Sequence, residues 1–201
     1  MLFRSRPSGN ITGFGQLEAS LGGKWLELLS EIAPGLKRAA IMFNPDIGAL
    51  VSVFMPSFEA AARSLKVEPI IAPVHDDAEI GTAIIALGRV PGGGLVVMGD
   101  LFVTAHRAPI ISAAARNNLP AVYTLSDFAR DGGLLSYGPD RVDLFRRPAT
   151  YVDRILRGEK PGDLPVQLPT KFEMVVNRRT ATALGLSVPP SILLRADEAI
   201  E

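Results

Sequence analysis

The sequence contains no cysteine, so disulfides, thiolate metal sites and a cysteine nucleophile are excluded and the redox compartment is left open. Only two histidines, His75 and His106, are present, too few for an imidazole metal cluster. Neither sign of charge dominates: 21 Lys plus Arg face 21 Asp plus Glu. With no basic stripe or acidic tail either, composition offers no argument for nucleic acid or an anionic membrane as a partner. Long hydrophobic runs are also missing. Apolar runs such as residues 95–98 fall far short of the ~20 residues a spanning helix needs, and the N-terminus shows no basic segment followed by an apolar stretch, so the chain as written carries no export signal. What is present is an ordinary globular composition over 201 residues, 47% apolar and 21% charged, which excludes disorder as the main state. A chain of this size buries roughly 70% of the surface it exposes when unfolded.

Short β-branched or apolar runs alternate with longer helical patterns, the signature of βαβ units and an α/β fold with a parallel sheet. Leu21, Trp25, Leu28, Leu29 and Ile32 recur at helical spacing until Pro34-Gly35 stops the helix. Strands are expected at Arg38–Phe43 and at 67–74, 95–98 and 119–123. Helices are expected at 51–65, around Ile80, Ile84 and Leu87, at 108–117 and at Ser126–Arg130. Pro56 suggests that the regular part of the second helix begins near that residue. Beyond Gly132-Gly133 the rhythm changes: a short run at 134–137, a long helix at 141–157, an extended Pro-rich linker at 161–169, a strand at Phe172–Asn177, a helix at 178–184 and a short terminal helix.

Four parallel strands with single helix crossovers most often take the doubly wound order 2-1-3-4, which places a switch point between the first and third strands. Ligands of such sheets bind beyond the carboxyl ends of the strands at that crevice. Asn44 follows the first strand and Asp100 the third, with Phe102 and Tyr123 close by, so one carboxylate, one amide and two aromatic rings could receive a small ligand with an ammonium and an apolar body. Each has a plainer reading: Asn44 before Pro45 shapes a turn, Asp100 caps the next helix, Tyr123 fills the core. Read as the main anchor, Asp100 is a residue whose replacement by alanine weakens binding without a large loss of stability.

Catalytic templates fit poorly. Gly13-Phe14-Gly15 lacks the third glycine of a dinucleotide fingerprint, and no P-loop is present. Ser136 sits in a run that fails the nucleophile-elbow spacing because Leu134 stands where glycine is required, and neither histidine is placed as its base. No cofactor is implied.

Several segments together resemble a known family: Arg6-Pro7-Ser8-Gly9-Asn10-Ile11-Thr12-Gly13, Leu21-Gly22-Gly23-Lys24-Trp25-Leu26-Glu27-Leu28-Leu29, Phe43-Asn44-Pro45-Asp46, Gly132-Gly133-Leu134-Leu135-Ser136-Tyr137-Gly138-Pro139-Asp140 and Leu184-Gly185-Leu186-Ser187-Val188-Pro189-Pro190. They look like the branch of ABC-transporter substrate-binding proteins related to the tryptophan and tyrosine binders. The resemblance implies a type I periplasmic binding protein, two doubly wound lobes joined by three crossovers with ligand trapped between them. On that pattern residues 1–14 are a junction and first crossover, 15–135 the second lobe, 136–170 a crossover and a helix belonging to the first lobe, and 171–201 the return to the second lobe. Ser136 and Tyr137, in the second crossover, join Asn44, Asp100, Phe102 and Tyr123 as candidate ligand contacts.

The resemblance begins at about Arg6, with Met1 to Ser5 outside it, so the chain reads as the C-terminal part of a longer protein whose first lobe is absent. Pro148, inside a helix that the family usually continues, is a second departure. The implied function is the non-catalytic ligand-binding component of an ABC importer, periplasmic when full length. It would close on a small amino acid-like solute and deliver it to an inner-membrane permease. The effector-binding domain of a transcription regulator is the alternative from another class, and an α/β enzyme a third.

Overall fold

The structure is a computed structural model that describes residue 7 and residues 9–201, apart from the side chains at positions 47 and 48. Arg6, Ser8 and the five residues before Arg6, on which part of the family pattern falls, lie outside the described residues. The chain forms two compact units, one from residues up to Glu18 together with Pro139–Phe172, the other from Ala19–Gly138 together with Glu173–Glu201.

The larger unit is the α/β body. Its elements run α1 (Leu21–Ile32), β1 (Arg38–Phe43), α2 (Gly48–Leu65), β2 (Glu68–Pro73), α3 (Asp77–Gly88), β3 (Gly93–Val97), α4 (Leu101–Ala105), α5 (Arg107–Arg116), β4 (Ala121–Tyr123), α6 (Ser126–Arg130) and β5 (Leu135–Pro139). The sheet order is β2-β1-β3-β4-β5, extended by two strands from the C-terminal segment, β6 (Phe172–Asn177) and β7 (Glu198–Ile200). The first five strands are parallel, as the 2-1-3-4 expectation requires. β6 runs antiparallel to β5, because the N–H of Asn177 at its far end donates to the Leu134 carbonyl just before β5 begins. The register Arg38↔Glu68 and Arg38↔Gly93 puts even-numbered β1 and β2 side chains on one face of the sheet and odd-numbered ones on the other. On the even face Ala40, Met42, Ala72, Leu95 and Val97 pack under Ile80, Ile84 and Leu87 of α3 and Ile110 of α5. The central strands are buried on both faces, which is why β3 reads as an unbroken apolar run.

Helix α1 meets α2 through two glycines. A methyl group on Gly22 would stand 2.2 Å from the Phe54 carbonyl oxygen, and the Gly23 N–H donates to Ser57 Oγ at 3.2 Å. Alanine is the better helix former by about 1 kcal/mol, but overpacking against backbone costs roughly 1–3 kcal/mol and exceeds that gain. Gly22→Ala is therefore expected to lower stability by up to about 2 kcal/mol, readable in urea melts followed by the emission of Trp25, the single tryptophan. An unchanged or raised midpoint would show that the helices can move apart freely.

Five expectations need correction. Helix α2 starts at Gly48 and carries Pro56 inside it. Pro56 is exposed, so water can take the carbonyl that its missing N–H leaves free. The short helix α4 precedes α5 and was hidden by its five-residue length. The C-terminal segment folds as β6, α9 (Arg178–Ala183), α10 (Pro190–Leu193) and then strand β7, so it ends in a strand after its short helix. In the smaller unit, the long helix expected at 141–157 is two helices, α7 (Arg141–Arg146) and α8 (Pro148–Leu156), because Pro148 donates no hydrogen bond and takes the first position of the second.

That smaller unit also overturns the linker reading of 161–169. Leu164 is fully buried, its carbonyl accepts from Thr12 Oγ at 2.8 Å, and residues 13–15 exchange backbone hydrogen bonds with Gln167. Tyr151 packs its ring at a tilt against Phe14 with centroids 4.8 Å apart and donates its hydroxyl to the Pro165 carbonyl. Its outer surface remains apolar at Phe145, 72% exposed, and Leu156, 81% exposed.

Candidate functional site

The crossover after β1 leads to α2 and that after β3 leads to α4 and α5, on opposite faces, so the carboxyl ends of β1 and β3 flank the switch point. A polar seam crosses the strand ends there. The Asn44 N–H donates to Asp100 Oδ2 at 2.9 Å, and the Val103 N–H donates to Asp100 Oδ1 at 2.7 Å, so the carboxylate both caps α4 and ties β1 to β3. The Asn44 amide is equally engaged: Nδ2 donates to the Val74 carbonyl at 3.2 Å, reaching the end of β2, and Oδ1 accepts from the Asp46 N–H at 2.9 Å in an Asx turn. On the other side the Gly99 N–H donates to Thr124 Oγ1 at 2.6 Å, joining β3 to the end of β4. Gly138 closes the row at β5, where a Cβ would fall 2.1 Å from the Thr124 carbonyl oxygen. The chain thus spends side-chain hydrogen bonds on fixing four successive strand ends, and Leu101 stands 91% exposed immediately beyond them.

The six residues expected at a ligand site separate into three groups. Asn44 and Asp100 meet at the seam and are both nearly buried. Each Asp100 oxygen keeps a second lone pair after its backbone bond, so the carboxylate can still accept from an incoming ammonium or hydroxyl. Phe102 is half-buried beside them and packs at a tilt against His106 with centroids 4.1 Å apart. Tyr123 and Ser136 lie inside. The Tyr123 ring stacks on Phe128 at 4.9 Å, and burial pushes its phenol pKa strongly up; this is the core reading of that residue. Ser136, opposite Tyr123 in the β4–β5 register, is buried with its Oγ unpartnered. Tyr137 is held at a different place: its carbonyl accepts the Trp25 indole N–H at 2.7 Å, and burial, with the charge of Asp197 adding to it and Arg195 opposing, raises its phenol pKa.

The seam itself was partly missed by sequence reasoning. Thr124 carries no motif, and Gly138, although part of the family-like run at 132–140, shows its approach to Thr124 only across strands. Both histidines are occupied locally, His75 with Glu79 and His106 with the Phe102 carbonyl. No group of three or more metal-binding side chains gathers among the described residues, and no described helix is long and apolar enough to cross a membrane.

A family model described as ABC transporter substrate binding protein matches residues 3–200. The chain belongs to this family. Among curated relatives it is similar to the tyrosine-binding protein of Clostridioides difficile (strain R20291), 23% identical over 183 residues. That match takes in 90% of this chain and 51% of the relative. A solved conserved domain protein of Vibrio cholerae superposes with a TM-score of 0.83 at 26% identity, over 96% of this chain and 64% of that one. An ABC domain from Streptococcus pneumonia, solved in complex with L-Trp, superposes with a TM-score of 0.85 at 22% identity, over 98% of this chain and 65% of that one. The chain therefore spans about half the length of the curated relative and under two thirds of these solved chains. This substrate-binding family member has the type I periplasmic-binding-protein fold.

Proposed function

We propose that the chain supplies one ligand-gripping lobe of an ABC importer's substrate-binding protein, and that the solute is an amino acid with an aromatic or apolar body. The observation that carries this reading is the Asn44–Asp100 seam at the switch point of a sheet whose family is established. A buried carboxylate with lone pairs to spare, an adjacent half-buried ring at Phe102 and an exposed Leu101 suit an ammonium next to an apolar group. The tyrosine named for the C. difficile relative and the L-Trp named for the S. pneumonia complex support the same class. Asn44, Asp100 and Phe102 are the contacts assigned to this lobe. Tyr123 and Ser136 support it from behind, and Tyr137 belongs to the crossover that lets the lobe move.

In this reading a further lobe completes the grip, with the ligand closed between two surfaces, delivered to a permease and met outside the cytoplasm. The coverage of the relatives and the exposed apolar residues Phe145 and Leu156 support it. One lobe makes only about half of the contacts, so the 201-residue chain should bind its solute far more weakly than a product that carries both lobes.

A thermal-shift panel on the complete gene product tests the solute class. Aromatic amino acids at about 100 times Kd should stabilise by about 2.7 kcal/mol, while ribose and simple carboxylates leave the midpoint in place. Stabilisation by sugars alone, or by none of the panel, would refute the assignment.

A further inference from the structure

We propose that this protein has a second small-molecule site, away from the switch point, that takes a medium-chain monocarboxylate. It is a trough of about 520 Å³ between edge strand β2 and helix α3, floored by Arg38 and Ala40 of β1. Its volume lies within the ~300–1,000 Å³ of small-molecule pockets. The space exists because the residues that meet there are small: Ala40 and Ala72 from the sheet face Ala83 and Ala86 from the helix. Ile70 and Leu87 make the remaining walls apolar.

Two features choose the ligand. The first is charge. Arg38 lines this trough, its Nε is buried with no hydrogen-bond partner, and among the described residues Arg38 enters no ion pair. Glu68, opposite it in the β1–β2 register, is exposed and leaves it unpaired. A buried guanidinium nitrogen without an acceptor is costly, and a carboxylate is the acceptor its planar fork fits best. At the other mouth stand Asp76 and Glu79, already occupied by the Glu79 N–H and by His75. Acidic groups there repel an anion, so the ligand enters with its carboxylate toward Arg38 and its chain along the sheet. Register pairs from Arg38↔Glu68 to Phe43↔Pro73 cover five steps of ~3.3 Å, room for a chain of about eight to twelve carbons.

The second feature excludes a peptide strand. The N–H groups of Glu68 and Val74 donate to β1, so the outward-facing backbone positions of β2 are 69, 71 and 73. Two of the three, Pro69 and Pro73, have no N–H to offer. The edge is closed to strand addition while the trough beside it stays open, which favours a small amphiphile over a polypeptide.

Sodium octanoate titrated into the 201-residue chain, followed by amide chemical shifts, tests this directly, with octylamine as the oppositely charged control. Saturable shifts are expected at 70–72 and 82–87. Arg38→Gln should weaken the affinity about ten-fold or more, the worth of a charge-assisted bond, and Ala83→Phe should abolish it by filling the trough. Octylamine should leave these amides unmoved. The proposal is overturned if folded protein gives no saturable shift there, if Arg38→Gln binds octanoate as tightly as the parent, or if octylamine binds equally well. Arg38→Gln keeps a polar side chain on the same strand, so the test stands even if Ala83→Phe fails to fold.

Discussion

Tyr123→Ala should remove about 3–5 kcal/mol of stability, the cost of emptying a large aromatic site in a close-packed core. The ring is fully buried, stacks on Phe128, and lies so close to Gly133 that a Cβ there would stand 2.5 Å from it. Against a total of about 5–15 kcal/mol this is a large fraction, so the melting temperature should fall by many degrees. Affinity per folded molecule should change little, because the ring faces inward. Tyr123→Phe, which keeps the stack, should recover most of the loss. A variant that melts like the parent but has lost ligand affinity would return Tyr123 to the binding surface.

Asp100→Ala should be the other costly change, and this corrects the expectation that the carboxylate could be removed without a large loss of stability. Its two oxygens hold the N–H groups of Asn44 and Val103. Deleting them strands two donors in a nearly buried position at about 1–3 kcal/mol each, some of which water recovers, so a net loss of about 2–4 kcal/mol is expected. Asp100→Asn retains one acceptor oxygen and should fall in between. In the complete protein, affinity measured on the folded fraction should also drop more than ten-fold for Asp100→Ala if, as proposed, the same carboxylate receives the ligand's ammonium. Denaturant melts of the two variants give the first result and calorimetry gives the second. If Asp100→Ala is as stable as the parent, the seam does not hold the strand ends.

The body of the fold was legible because its signals are strong and local. The α1 stripe from Leu21 to Ile32 and the apolar triplet Ile80, Ile84 and Leu87 are periodic patterns that few other arrangements satisfy, and all of these residues are buried. Strand order followed from topology, since right-handed crossovers leave few choices. What was illegible depends on partners distant in sequence. Asp100 stood out by position, yet its bond to the Asn44 N–H joins residues 56 apart, which no local pattern carries. Tyr123 was expected near the ligand with filling the core as its plainer reading, and the ring is fully buried where Phe128 of α6 stacks on it. The 161–169 stretch read as a linker because proline is frequent in it, while the buried Leu164, the Thr12 and Tyr151 hydroxyls and the backbone bonds of Gln167 anchor it. Pro148 stood out in the sequence as a departure inside the helix expected at 141–157, and the helix divides there.

Hydrogen exchange on the complete gene product, with and without the amino acid that stabilises it most, tests the central claim that ligand is held at the switch point. Backbone amides at 44–46 and 100–103 should exchange more slowly when ligand is bound, because closure buries them and tightens the Asp100 contacts. Amides along β2 and α3, on the far edge of the sheet, should be unchanged. Ligand-dependent protection elsewhere, with 44–46 and 100–103 exchanging at the same rate in both states, would contradict the account.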